Sequence, residues 1–336
     1  MVITQVSAFF DSKVEQLKDP HVITMMESSS YDPNYEKFIA NYPGVTETET
    51  EEIIIMNIAK FNFGNSELAS NVAIFNADDR RSIGALKLIE KLNTSSDNDI
   101  FVPYSFKTNG GYKLGENFTI HYQEKNYDYR IAGFFETTMM GTTSIGIIKF
   151  MLPQNSFAVL ADELYDVSKG IIISAVMEDK TQSTNLLNGF TKAFPQSTVS
   201  ETNSYIWGLD VEMVKSVDTL TINIIAIILV AFAAIIVLVS LVVIKYRVSN
   251  SIEDGMTNIG VLKAIGYTNR QILSSIILQF TLIVFSASVL GIALSYCLMP
   301  LIGSIIASIS GLIWYQKFDV IINLVSIFII GFCVVM

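Results

Sequence analysis

"TLTINIIAIILVAFAAIIVLVSLVVI", Thr219 to Ile244, runs for 26 residues without a charge. A bilayer core needs roughly 20 apolar residues at helical rise, so this run reads as a membrane-spanning helix. A buried core helix is the competing reading, and the length argues against it. Asp218 precedes the run, and Lys245 and Arg247 follow it.

Downstream, a second uncharged run extends from Gln271 to Gln316, too long for one span. Gly291, Pro300 and Gly303 place a span at about 272–299, followed by an exposed turn or re-entry region. A third apolar segment follows Asp319 and covers 320–336. Residues 219–336 therefore read as an all-α, multi-pass transmembrane domain with a polar connector at 245–271. Four of the five basic residues beyond Asp218 (Lys245, Arg247, Lys263 and Arg270) lie in that connector. The positive-inside rule puts it in the cytoplasm of a cell-membrane protein and puts residues 1–218 outside.

Charge divides along the same line. The chain carries 22 Lys+Arg and 32 Asp+Glu, and only five and three of these lie beyond Asp218, so residues 1–218 are net −12. A domain so acidic excludes nucleic acid, whose phosphates demand a basic face. The N-terminal stretch "MVITQVSAFFDSKVEQLKDP" has neither the basic n-region nor the apolar h-region of a signal peptide. Export of residues 1–218 then calls for a preceding span, and the expectation is that the chain is a fragment, with a span before Met1 and more sequence after Met336. The excess of lysine over arginine, with abundant Asn and Ile, matches AT-rich bacterial genomes.

Residues 1–218 read as an α+β domain. His21–Ser28, Glu51–Phe61, Ser70–Ala77 and Gly170–Met177 are β-rich runs with polar boundaries. "FTIHY" and "YDYRIAGFF" form an alternating pair around a turn at Glu124–Asn126. Ile83, Leu86, Ile89 and Leu92 recur at helical spacing and predict a helix over 78–92, and another is expected around Leu186–Phe194.

No catalytic constellation emerges. His21 and His121 stand alone in strand-like runs, and Cys297 and Cys333, the two cysteines, lie in apolar runs. "TETETEE" (Thr46–Glu52) lacks calcium-loop spacing and reads as a solvated face. Ser28–Ser30 lack a nucleophile elbow. "TNGGYKLGEN" fails the phosphate-loop pattern, because Glu116 and Asn117 stand where Lys and Ser/Thr are required. The expectation is a chain that is not an enzyme and holds no metal or cofactor. Any ATP is hydrolysed by another chain.

In the connector, Ile252, Met256, Ile259, Leu262 and Ile265 form a stripe at steps of four and three. Asn250 or Ser251 is the expected cap, with Glu253 and Asp254 in the first turn and Lys263 in the last. Gly266 sits where a helix stops on a left-handed residue, and "TNRQ" (Thr268–Gln271) is a capping box that restarts a helix at once. In the second span, Ala287, Gly291 and Ser295 form a small-residue row suited to close helix packing. Gln279, near mid-membrane, calls for a polar partner across a helix interface.

The stretch "IKYRVSNSIEDGMTNIGVLKAIGYTNRQI" resembles the connector of FtsX/MacB-like ABC-transporter permeases, with its pattern (E/N)-I-G-x-L-K-A-(I/L)-G followed by a Q-I helix start. Asn258 stands where many members carry Glu. The order of the spans agrees, and "DIFVPYSF…GYKLGENFTIHY…YDYRIAGFFE" is similar to the extracytoplasmic domain of the MacB-like type. The resemblance covers most of residues 95–336.

What the resemblance implies is a permease that pairs with a second permease or permease half in the lipid. A separate cytoplasmic ATPase docks on the connector helix, through Ile252, Met256, Ile259, Leu262, Lys263 and Gly266. ATPase dimerisation then moves the spans and the outer domains (mechanotransmission), exporting a drug, peptide or lipid-type substrate. The alternative is a membrane-anchored sensor or regulator that binds an extracellular peptide or a cell-wall enzyme. A membrane-tethered hydrolase is disfavoured by the absence of a nucleophile or metal constellation.

Overall fold

A computed structural model describes residues 2–164, 168–195, 206–314 and 320–335. The chain forms two compact units. One comprises residues 2–223 with 304–314, and the other comprises 224–303 with 315–336.

The first unit is built on a ten-stranded mixed sheet. Its elements are α1 (Val2–Leu17), β1 (Val22–Glu27), α2 (Pro33–Ala40), β2 (Val45–Phe63), β3 (Ser66–Asn76), β4 (Leu88–Lys91), β5 (Asp99–Pro103) and α3 (Ser105–Thr108). They continue as β6 (Asn117–Tyr122), β7 (Lys125–Phe135), β8 (Ile147–Leu152), α4 (Gln154–Leu164), β9 (Lys169–Met177), α5 (Ser183–Ala193) and β10 (Trp207–Asp210). The strand order is β10-β1-β9-β2-β3-β8-β5-β7-β4, with β6 pairing β2 and β7. Two pairs are parallel, β3 with β8 and β5 with β7. Every strand read from the sequence is present.

β2 joins the two halves of the sheet. Its first part pairs with β9 and its second with β3, and the register shifts between Met56 and Ala59. At that bulge Ile58 adopts φ +58°, and its N–H donates to the Asn71 side chain at 3.0 Å. The extra residue turns the strand and points Ile58 outward. The β6–β7 hairpin turns on Gln123 and Glu124, both at positive φ, as a two-residue turn between paired strands requires. That is one residue earlier than the expected Glu124–Asn126.

Among the described residues, apolar side chains make four buried clusters, three of them built on the sheet and a small one around Val6, Ile222 and Ile306. In one, Phe106, Phe118 and Phe150 pack edge to face, with Phe106 at 5.6 Å from Phe118 and 5.2 Å from Phe150, and Phe61 stands edge-on to Phe150. In another, Phe10, Val14 and Leu17, a helical stripe on α1, meet Ile55, Phe75 and Ile172. The third lies between α2 and α5 and the strands, around Ile39, Leu186 and Phe190.

The helix expected over 78–92 does not form. Gly84 takes φ +61°, and only Leu88–Lys91 is regular, as β4. Strand alternation puts Glu49 and Glu51 on one face, where they draw this segment across the sheet. Arg81 Nε donates to Glu51 at 2.6 Å, and the Ile83 N–H donates to Glu49 at 2.9 Å. The acidic run is therefore only partly a solvated face.

The second unit is all helical, with parts of α6 (Val211–Asp254), α7 (Met256–Ala264), part of α8 (Asn269–Ser310) and α9 (Val320–Val335). Among the described residues, two helices are long and apolar enough to cross a membrane, Val211–Asp254 and Asn269–Leu298. The turn expected at Pro300 is absent. α8 carries Pro300 inside it and runs on to Ser310. Proline removes one backbone donor, and the surrounding apolar run is strong enough to keep the helix continuous.

Candidate functional site

In the connector the helix break falls at Gly255. α6 continues through Asn250 and Ser251 to Asp254, so neither residue caps a new helix as the sequence suggested. The stretch 245–254 holds no glycine or proline, and Gly255 is the first weak point. α7 then runs for nine residues with Lys263 in its last turn.

The end of α7 takes the form expected. The Gly266 N–H donates to the Lys263 carbonyl at 3.0 Å and the Tyr267 N–H to the Leu262 carbonyl at 3.1 Å, with Gly266 at φ +105°. This is the paired closure of a Schellman stop. The restart is a capping box. The Gln271 side chain accepts from the Thr268 N–H at 2.9 Å, and the Thr268 hydroxyl accepts from the Gln271 N–H at 3.4 Å. Ile252, Met256, Leu262 and Ile265 are exposed and Ile259 is half-buried. Val261 is exposed too, so the apolar surface is broader than the expected stripe.

On α8, Ala287, Gly291 and Ser295 are exposed, and a Cβ added at Gly291 meets nothing within 4 Å. Gln279 is exposed as well. Asn323 of α9 donates to the Tyr296 hydroxyl of α8 at 2.8 Å, a polar link that the sequence did not signal.

Within the α/β unit, residues 304–314 are anchored to the sheet. Glu136, at the end of β7, accepts from Lys13 Nζ at 2.7 Å and from the Ile313 N–H at 2.6 Å. The Thr108 hydroxyl donates to the Ala307 carbonyl at 3.1 Å, Trp314 packs on Phe9 at 4.5 Å, and Leu312 is buried. Gly311 sits at φ +65°, where an added Cβ would lie 3.1 Å from Ser105 Cβ. Close by, Asp218 is buried and accepts from the Thr142 hydroxyl at 2.9 Å. Burial without a cation pushes its carboxyl up to about 6.

A second buried charged group holds Asp19, Glu51, Arg81 and Lys149. Asp19 accepts from the Thr138 N–H at 2.6 Å and the Thr138 hydroxyl at 2.7 Å. Lys149 stands over the Phe75 ring at 4.4 Å and Arg81 at 5.5 Å. Burial raises the Asp19 and Glu51 carboxyls and lowers the Lys149 ammonium. The group ties the 78–87 segment to the sheet.

Residues 230–336 match the model of the FtsX-like permease C-terminal family. This chain carries an FtsX-like permease domain. The family is one of ABC transporter permease subunits, which work with a cytoplasmic ABC ATPase and are not enzymes themselves. No curated protein matches the chain.

Three solved structures are similar to it at a TM-score too low to carry a fold assignment. They are the extracellular domain of the noncanonic ABC-type transporter YknZ from Gram-positive bacteria (9% identity, 55% of this chain and 99% of that one, TM-score 0.26), the periplasmic region of MacB from Actinobacillus actinomycetemcomitans (11%, 62% and 96%, 0.26), and a domain of a putative permease protein from Porphyromonas gingivalis (14%, 57% and 91%, 0.29).

The FtsX-like match takes in the connector and the small-residue row, so every site residue named from the sequence lies inside it. The Glu136 anchor does not. No local motif marks it, because its partners come from positions more than 100 residues away in the chain. His21 accepts from the Met177 N–H through Nδ1, and His121 pairs with Asn126. Neither joins a group of metal ligands among the described residues.

Proposed function

We propose that this chain is a multi-pass permease subunit of an ABC transporter, coupling ATP hydrolysis by a separate ATPase to movement of an extracytoplasmic α/β unit. The observation that carries this reading is the FtsX-like domain, which includes the ordered connector. A helix held between Gly255 and a Schellman stop at Gly266, then restarted by a capping box, is a defined element that a partner can push against. The exposed residues Ile252, Met256 and Leu262, with Ile259 and Lys263, form the docking face. ATP belongs to the partner, and this chain carries no cofactor.

Mechanical output follows from chain continuity. α6 is unbroken from Val211, a residue of the α/β core, to Asp254 within the connector. The C-terminal end of α8 is fixed to the α/β unit through Glu136, Thr108 and Phe9. Movement of the connector therefore has two routes to the sheet, one along the chain through α6 and one through the non-covalent anchor at the end of α8. The row Ala287, Gly291 and Ser295 is the packing seam for a second permease or permease half. Export of a drug, peptide or lipid-type substrate is the output.

The test is co-purification with a cytoplasmic ABC ATPase subunit co-expressed with this chain. Ile259→Asp with Leu262→Asp is expected to reduce retained ATPase at least tenfold while membrane insertion stays intact. Retention equal to the parent chain would overturn the docking role.

A further inference from the structure

A small cavity lies beneath the 78–87 segment, where the buried group of Asp19, Glu51 and Lys149 meets the sheet. Its volume is about 10 Å³, the room that a single water takes and too little for an organic ligand. Asp19, Glu51, Lys149 and Ser174 line it, with Ile83 and Gly84 of the covering segment.

Each of these four polar groups has a hydrogen-bonding position to spare. Thr137 and Thr138 donate only to Oδ2 of Asp19, which leaves Oδ1 to the cavity. Glu51 accepts from Arg81 through Oε2 at 2.6 Å and keeps its other oxygen. Lys149 is 7% exposed, and its ammonium rests on the Phe75 ring with no hydrogen bond or ion pair among the described residues. The Ser174 hydroxyl, on a residue 5% exposed, has no partner among them either. Asp19 Oδ1 and Lys149 Nζ stand 3.5 and 3.9 Å from the point that a Cβ on Gly84 would occupy, so the two converge on one wall. Neither is sealed over as the Thr24 hydroxyl is, and a molecule in the cavity reaches both.

We propose that this cavity binds one structural water, which bridges the Lys149 ammonium, the Ser174 hydroxyl and the Asp19 and Glu51 carboxylates. Two donors and two acceptors match the two lone pairs and two hydrogens of a water. The ammonium and the hydroxyl donate to its oxygen, and it donates to the carboxylates. Lys149 repels a metal cation from the same place. Bridged in this way, groups from the turn after α1 and from β2, β8 and β9 form one satisfied network under the 78–87 segment. The site goes beyond the transport reading and does not depend on it.

The experiment is a crystal structure of the full chain in a lipidic mesophase, at a resolution that shows ordered waters. One peak is expected in the cavity, about 2.7–3.1 Å from Lys149 Nζ, Asp19 Oδ1 and Ser174 Oγ. No peak would overturn the proposal. So would a peak about 2.4 Å from the carboxylate oxygens with Lys149 turned away, which marks a cation. Ser174→Val fills the cavity and expels the water, whereas Ser174→Ala leaves the water three partners. The thermal midpoint of the α/β unit is expected to fall by about 5 °C in the valine variant and by less than about 2 °C in the alanine variant. Equal midpoints for the two variants would overturn the proposal as well.

Discussion

Phe106 and Phe285 have the same side chain and opposite surroundings. Phe106 is fully buried in the α/β unit, with Phe61, Phe118 and Phe150 around it. Phe285 is 56% exposed on α8, amid Leu282, Ile283 and Val289, which are exposed as well. One unit completes its core from its own residues. The other presents apolar side chains over two long helices, a surface that requires lipid or partner helices to cover it.

Substitutions that treat both units alike should therefore separate them. Phe106→Ala is expected to destabilise the α/β unit by about 3–5 kcal/mol, while Phe285→Ala changes it by less than about 0.5 kcal/mol. Thermal unfolding of the full chain in nanodiscs, followed through α/β-unit tryptophan emission, reads both. Comparable losses would break the distinction.

The second test concerns the anchor of residues 304–314. Glu136→Gln removes the negative charge from the buried Lys13–Glu136 pair and is expected to cost about 3 kcal/mol. It should also speed hydrogen exchange at the Ile313 amide, which loses a charged acceptor. Unchanged exchange there would remove Glu136 from the anchor.

Asp218 sharpens the comparison through pH. Its folded carboxyl sits at about 6 against an ordinary 3.8, so folding takes up a proton between those values. Its contribution is fully present below about pH 4 and is lost as pH rises through about 6. Asp218→Asn should remove that dependence and raise stability at pH 7 by about 2 kcal/mol, relative to the parent chain at equal pH. Asp19 and Glu51 shift in the same direction, so the difference between the two chains is the quantity to follow.

Local chemistry made much of this legible. The uncharged run at Thr219–Ile244, the Gly266 stop, the Thr268 capping box and the alternating β6–β7 pair are each set by residues close in sequence. Misreadings arose where distant partners decide. Ile83, Leu86, Ile89 and Leu92 have helical spacing, yet Glu49 and Glu51 on β2 hold the 78–87 segment in an irregular path. Pro300 read as a turn because its ring breaks isolated helices, whereas α8 continues to a segment held by Glu136 and Thr108. The small-residue row was plain in the sequence, and among the described residues a Cβ added at Gly291 meets nothing within 4 Å.

The central proposal, drawn from the basic residues that flank the apolar run, is that residues 1–218 are extracytoplasmic and the 245–271 connector is cytoplasmic. Side-specific labelling tests it most directly, with a membrane-impermeant maleimide on a Cys297→Ser, Cys333→Ser background. Asn65→Cys probes the exposed β2–β3 turn and Thr257→Cys the exposed connector. The account predicts that Asn65→Cys labels in intact cells and Thr257→Cys only after permeabilisation. Labelling of both in intact cells, or the reverse order, would contradict it.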